Sequence, residues 1–300
     1  MTEIQQVQWE LEMDYIGHPY YVSGNAILHA LGQSLSRDTH QSLHASHGMF
    51  VPGQFGRFPE EHSQSGIRPY LGAGLPDVEA YADLFVQRDP RHEWLLDSRA
   101  RDALNTHDIR TQSGHPALAY ETIMGRPAEG YRNHKTTKWY LNAYLHAGAE
   151  DILPIGEEYL DGLQFGGKRN YGYGVTRLKE TQIVDLEALS YSSINDCNCV
   201  LKLVTPFVLR STYPEAACKS IPWWWSDASN LRTRKEKVLE QREVYRLDTV
   251  DHGQLVGYDG DDPIATARKG VTRVGTHSKY GFGEIQVMPS EGTKRPVNGA

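Results

Sequence analysis

Two stretches of this 300-residue chain bring glycines, rings and cations together: FGGKRNYGYG at 165–174 and GTHSKYGFG at 275–283. Both fit Gly-x-x-x-x-Tyr-Gly-[Phe/Tyr]-Gly, running from Gly166 to Gly174 and from Gly275 to Gly283. Glycine lets the main chain take positive φ and brings its amides close to phosphate oxygens. Gly167, Lys168, Arg169 and Asn170 in the first loop, and His277 and Lys279 in the second, add charge and hydrogen-bonding groups. Tyr171, Tyr173, Tyr280 and Phe282 offer ring faces, with Gly172 and Gly281 between the paired rings. Stacking an unpaired base on such a ring is worth about 1–3 kcal/mol. The combination points to a single-stranded nucleic acid held by its phosphates and bases. Two other readings stand beside it. Gly162 to Lys168 fits the G-x-x-x-x-G-K phosphate loop, but Arg169 occupies the position that needs a magnesium-binding hydroxyl. A purely structural turn, with Tyr171 or Tyr173 plugging a core, would not need cations inside both loops.

A second constellation is THQSLHASHGMF, with His40, His44 and His47. Imidazoles can act as base and acid when a ribose 2′-OH attacks the adjacent phosphate. Tyr20, Tyr21 or Arg37 could supply the partner groups. The bland alternatives are a polar loop or a weak metal pair at His40 and His44, and thirteen histidines in the chain make local clustering ordinary. Cys197, Cys199 and Cys218 are too few and too oddly spaced for a structural zinc site. No metal and no cofactor are expected. KTTKWY, with Lys135 and Lys138, mixes cations and rings and is a secondary candidate for RNA contact.

The elements that must carry these groups show a helix–strand mixture. Val7, Trp9, Leu11 and Met13 alternate as a strand does, and Ile27, Leu28, Leu31 and Leu35 recur at helical spacing behind an N-cap at Asn25. Residues 50–76 read as a long loop, and 77–105, 136–147 and 227–243 as helical. Strands are expected at 199–209, 243–250, 253–259 and after each glycine loop. Of the three tryptophans at 223–225, at least one is expected at an interface. In the charged run 230–244, Arg232, Arg234, Lys235 and Lys237 alternate with Glu236, Glu240 and Glu243, which favours a solvated face over an RNA groove.

Apolar residues make up 39% of the chain and charged residues 23%, an ordinary globular balance. A net charge of −7 argues against a uniformly basic nucleic-acid binder while leaving room for a basic groove. No apolar run is long enough to cross a bilayer, and the N-terminal residues lack a basic start and an apolar core, so a cytoplasmic location is expected. The repeated loop-plus-strand device predicts an α+β chain of two related modules, with boundaries at 1–190 and 195–292 and a flexible tail at 293–300.

GGKRNYGYG resembles the glycine-rich loop of the RAMP superfamily of CRISPR-associated proteins, with Asn170 where Ser is common, and GTHSKYGFG resembles its looser C-terminal form. YYVSGNAILHAL at 20–31 resembles the strand–turn–helix opening of that family. The resemblance implies tandem ferredoxin-like (RRM-like) modules that bind CRISPR RNA. It is closest to the two-module effector subunit of type III-like complexes, which holds the 5′ handle, caps the backbone filament and contacts the filament subunit. The metal-independent endoribonuclease that processes precursor CRISPR RNA is the alternative the family offers. The filament subunit fits less well because of the second loop. Outside the family, a protein scaffold with structural glycine loops remains open.

Overall fold

A computed structural model describes residues 2–18, 21–52, 74–88, 100–108, 113–122, 139–149, 151–195, 198–213, 222, 224–226, 231–240 and 243–290. The first half contains β1 (Glu3–Leu11), β2 (Tyr21–Val22), α1 (Gly24–Leu31), α2 (Arg37–Ser42), β3 (Leu43–Ala45), β4 (Gly48–Pro52), β5 (Ala100–Asp108), β6 (Ser113–Thr122), β7 (Trp139–Ala147), α3 (Glu157–Leu160) and β8 (Thr176–Asp185). The second contains β9 (Cys199–Leu203), β10 (Phe207–Ser211), β11 (Trp225–Ser226), β12 (Thr233–Glu240), β13 (Glu243–Val250), β14 (Leu255–Tyr258), α4 (Pro263–Val271) and β15 (Ile285–Pro289).

The two halves share one topology. The first sheet runs β2-β4-β7-β1-β8, with β3 also on β7, and the second runs β11-β14-β9-β15. Numbering β1, β4, β7 and β8 as four strands gives the spatial order fourth-first-third-second, and β9, β11, β14 and β15 give the same order. Every pairing in both sheets is antiparallel. In the first half α1 forms the crossover between the first two strands; in the second, α4 forms the crossover between the last two. This is the ferredoxin-like arrangement written twice, an α+β fold. The hairpin β12–β13 leaves the second half and joins β10 in a separate three-stranded sheet. The hairpin β5–β6 pairs only with itself among the described residues.

The first sheet is covered on both faces. Val7, Trp9 and Leu11 of β1 pack with Ile27, Leu28 and Leu31 of α1 in one core. Ile4, Met49, Tyr144 and Val184 turn the other way, into a core shared with Leu201, Leu203, Phe207 and Ile285 of the second half. Burying each such side chain contributes about 1.5–3 kcal/mol. The double burial explains why 136–147 mimics a helix in sequence. Its stretch WYLNAYLHA is a central strand, β7, buried along both sides, so its apolar residues run continuously instead of alternating.

Other expectations are corrected locally. The N-cap of α1 is Ser23, which accepts from the Ala26 amide, and the helix stops at Leu31 before Gly32. Within 77–105 the described residues form a 3₁₀ turn at Tyr81–Phe85 and part of β5. Within the charged run at 227–243, residues 233–240 are strand, because Val238 and Leu247 bury one face of the β12–β13 hairpin while charges occupy much of the other. The stretch 199–209 divides between two sheets as β9 and β10. Residues 53–73 of the expected long loop and the tail 293–300 lie outside the described residues, while 48–52 is the strand β4. Trp225 is core, edge-on to Phe207; Trp224 is half-buried near Tyr258; Trp223 lies outside the described residues. No described helix is long and apolar enough to cross a membrane.

Candidate nucleic-acid interface

The two glycine loops are copies in backbone as well as in sequence. Each carries a short 3₁₀ turn, Arg169–Tyr171 in one and Ser278–Tyr280 in the other. Before each turn a residue with a side chain takes the left-handed region: Lys168 at φ 58° and His277 at φ 62°. Glycines follow suit in pairs: Gly166 and Gly275 at 85° and 90°, Gly172 and Gly281 at 85° and 97°, Gly174 and Gly283 at 72° and 81°. The last pair is the tightest. The Phe165 amide donates to Gly174 O at 2.9 Å and the Val274 amide to Gly283 O at 2.9 Å. A Cβ at Gly174 would overlap the Phe165 carbonyl, and one at Gly283 would overlap that of Val274. Lys168, the predicted anion contact, is therefore also the residue that accepts backbone strain in the first loop.

Their surroundings differ. The first loop is anchored from beneath, where Gly167 N donates to Ile16 O at 2.8 Å and Gly174 N to Asp14 O at 2.8 Å. Its outer side is open: Gly167, Arg169, Asn170 and Tyr171 are exposed, Tyr171 by 61%, while Lys168 and Tyr173 are half-buried. The Lys168 ammonium lies 5.7 Å from the Tyr171 ring centre. The second loop is pressed against the first half of the chain. Lys279 Nζ donates to Gln41 O at 2.7 Å, and a Cβ on Gly24 of α1 would come within 2.6 Å of Tyr280 O. His277 Nε2 is 3.3 Å from Ser211 Oγ. Phe282, expected as a stacking face, is 2% exposed and packed with Val208, Val238 and Leu247. Lys279, half-buried, caps the Gln41 carbonyl at the surface. Lys135 and Lys138 lie outside the described residues.

The exposed loop forms one wall of a cleft of about 510 Å³. Gly166, Gly167 and Arg169 face His18 and His29 there, and Lys235 and Lys237 of β12 close the far side. A second concavity, about 690 Å³, is lined by Gln33, Ser34 and Tyr159 together with Lys168 and Asn170 of the same loop, and shares Gly166, Gly167 and Arg169 with the first. Lys235, Lys237, Arg246 and Asp248 are exposed on one face of the β12–β13 hairpin. Lys237 stands directly opposite Arg246 in the register, a like-charge pairing that destabilises the hairpin unless an anion lies over it. By contrast Arg177 and Lys179 of β8 are occupied by Glu12 and Glu10 at 2.6 and 2.7 Å.

At the cleft floor His18 stacks on Tyr21 with 4.0 Å between centroids, and Tyr21 stacks on His47 at 4.3 Å. The Tyr21 hydroxyl donates to Glu236 Oε1 at 3.1 Å, and His18 Nε2 is 3.8 Å from that oxygen. Burial, followed by the charges of Arg234 and His252, pushes the His18 imidazole down to about 3. Burial also raises the Glu236 carboxyl and, with Glu236 beside it, the Tyr21 phenol. His18 is thus neutral near pH 7.

The structure does not bring His40, His44 and His47 together as an acid–base set. His40 Nε2 is tied to Leu28 O at 3.0 Å. His47 is wholly buried and its Nδ1 accepts from the Gly24 amide at 3.1 Å. His44 faces His146, ring centroids 5.5 Å apart. Tyr21 is engaged by Glu236, and Tyr20 lies outside the described residues. Among the described residues no cluster of three His, Cys, Asp or Glu could hold a metal ion. Sequence reasoning did not single out His18, and it read the hairpin cations as the solvated face of a helix; Arg232, Lys235 and Lys237 are exposed, on or beside a strand. The period-two rhythm of TRKEKVLE was the available signal for the latter.

No family model and no curated protein matches the chain. Among solved structures, a CRISPR-associated protein Cas6 aligns over 95% of this chain and 98% of its own, at 11% identity and a TM-score of 0.36. A Cas6 product complex aligns over 96% and 99%, also at 11% and 0.36. The superposition is loose, and no residue correspondence follows from it.

Proposed function

We propose that the protein binds single-stranded CRISPR RNA in the cleft between the first glycine loop and the β12–β13 hairpin. The observation that carries this reading is the asymmetry of the twin loops. The copy with Lys168, Arg169 and Tyr171 is exposed beside a cleft lined by its Gly166, Gly167 and Arg169 together with Lys235 and Lys237, while the other copy is half-buried against the first half of the chain. Phosphates would lie between Arg169 and the Lys235–Lys237 edge, and a base would stack on Tyr171. In the finer reading, which rests on the resemblance of GGKRNYGYG to RAMP loops, the RNA is the 5′ handle of a CRISPR RNA. The partner is then the filament subunit of an effector complex. Labelled repeat RNA titrated with purified protein in EDTA tests this. Binding should weaken about ten-fold or more in Lys168→Ala/Arg169→Ala, the loss of two phosphate contacts. Equal affinity in that variant would remove the proposal.

One observation favours a second reading, cleavage of the bound strand: His18 lines the same cleft, stacked on Tyr21 and 3.8 Å from Glu236 Oε1. The same RNA incubation reports it. Product that disappears in His18→Ala would establish an endoribonuclease, and intact RNA in the wild type would leave a binding protein.

A further inference from the structure

Gly166, Gly167 and Arg169 of the first glycine loop line two spaces at once, the cleft toward the hairpin and the concavity of about 690 Å³. Gln164 lines both as well, and its Nε2 donates to Arg169 O at 3.3 Å, bracing the loop between them. A strand held by Arg169 therefore has two places to put its bases.

The second place holds a ring. Among the described residues the exposed aromatic side chains are Tyr171, at 61%, and Tyr159, at 37%. Tyr171 is on the loop itself, and Tyr159 lines the concavity. Tyr159 belongs to α3, a one-turn helix that is firmly anchored: Leu160 is wholly buried, and its carbonyl accepts from the Trp9 indole at 2.7 Å. A ring on so fixed a support loses little freedom when a base stacks on it.

The charges there are mixed. Lys168 and Arg169 bring positive charge to the lining, and Glu158 and Asp161 bring exposed carboxylates. Asp161 Oδ1 already accepts from the Leu178 amide at 2.8 Å, which singles out Glu158 as the acceptor for a ligand. A carboxylate repels phosphate and accepts only from donors. The phosphates therefore stay with Lys168 and Arg169 while a base turns inward. Cytosine, adenine and guanine bring an amino group to donate there, and uracil brings none.

We propose that the concavity lined by Tyr159 is a second base site for the same strand, in which Tyr159 stacks and Glu158 favours amino-bearing bases over uracil. This site rests on the RNA reading above and extends it to the second space that the loop borders.

The test measures the affinity of the full-length protein for labelled oligocytidylate and oligouridylate of equal length, in EDTA. The wild type should bind oligocytidylate more tightly, and Glu158→Gln should reduce that preference. Tyr159→Ala should weaken oligocytidylate binding about ten-fold at an unchanged melting temperature, the loss of one stacked base. If Tyr159→Ala does not fold, ultraviolet crosslinking of the wild type decides: bound oligocytidylate must label the peptide that carries Tyr159, and an unlabelled peptide removes the site. Lys168→Ala/Arg169→Ala should weaken both oligonucleotides. Wild-type affinity in that variant would remove the RNA reading and the second site with it. Equal affinity of the wild type for the two oligonucleotides, or unchanged binding in Tyr159→Ala, would overturn the second site and leave the RNA reading in place.

Discussion

The first and second glycine loops have the same residue spacing, the same sequence of left-handed positions and the same closing hydrogen bond, yet one is largely exposed and the other is half-buried against the first half of the chain. The glycines specify how the chain turns; the neighbours specify what the turn is for. Beneath the first loop, among the described residues, lies the 14–16 segment, and Arg169 and Tyr171 are exposed. Over the second lie α1 and β3, so its lysine caps a carbonyl and its phenylalanine fills a core. A motif can therefore be read correctly as a backbone device and still say nothing about which copy meets a ligand.

The strongest challenge to the equivalence is substitution at the closing glycines. Gly174→Ala and Gly283→Ala combine positive φ with overlap onto a backbone carbonyl, and each should cost on the order of 3 kcal/mol or more by urea denaturation. If either were tolerated, the loops would not share a backbone requirement. The inward and outward rings then divide the copies. Phe282→Ala should lose about 3–5 kcal/mol of stability with little specific effect on RNA. Tyr171→Ala should leave the melting temperature near wild type and weaken single-stranded RNA binding by about 1–3 kcal/mol. The reverse pattern would invert the assignment of roles.

A finer division comes from salt. Lys168→Ala/Arg169→Ala should reduce the slope of log affinity against log salt by about two, and Lys279→Ala should not change it. The smallest effect is on pH. His44 and His146 titrate near 4 in the folded chain and His18 near 3, against 6.5 when unfolded. The unfolded chain thus binds more protons below 6.5. These three groups contribute full stability above that pH and progressively less as it falls through 6.5 toward 4. Thermal melts between pH 7.5 and 4.5 should show the decline, and it should be shallower in His44→Gln/His146→Gln.

Local signals were enough for β1, α1, β8, β14 and the strand after each loop, because one face of each is apolar at a regular period or a glycine turn marks its start. β7 was not legible as strand, since burial on both faces removes the alternation that separates strand from helix. β12 hid its period under alternating charge, while β13 was expected as a strand at 243–250. Of the candidate site, the cations and rings of the first loop could be read directly. His18 could not, because its place in the cleft depends on Tyr21 and Glu236 meeting across more than two hundred residues. Nor could the inward turn of Phe282, which is decided by β10 and the hairpin.

The ties from β2 and α1 to the hairpin reach further than the cleft they border. Asn25 Nδ2 donates to Leu239 O at 3.0 Å, His29 Nε2 lies 3.3 Å from the same oxygen, and Tyr21 joins Glu236. A chain severed after Ser190 would leave each piece with half of a shared surface. Neither should be soluble when expressed alone, and the two should recover a native form only on co-expression. The repeat in this protein is a duplication that has lost its independence.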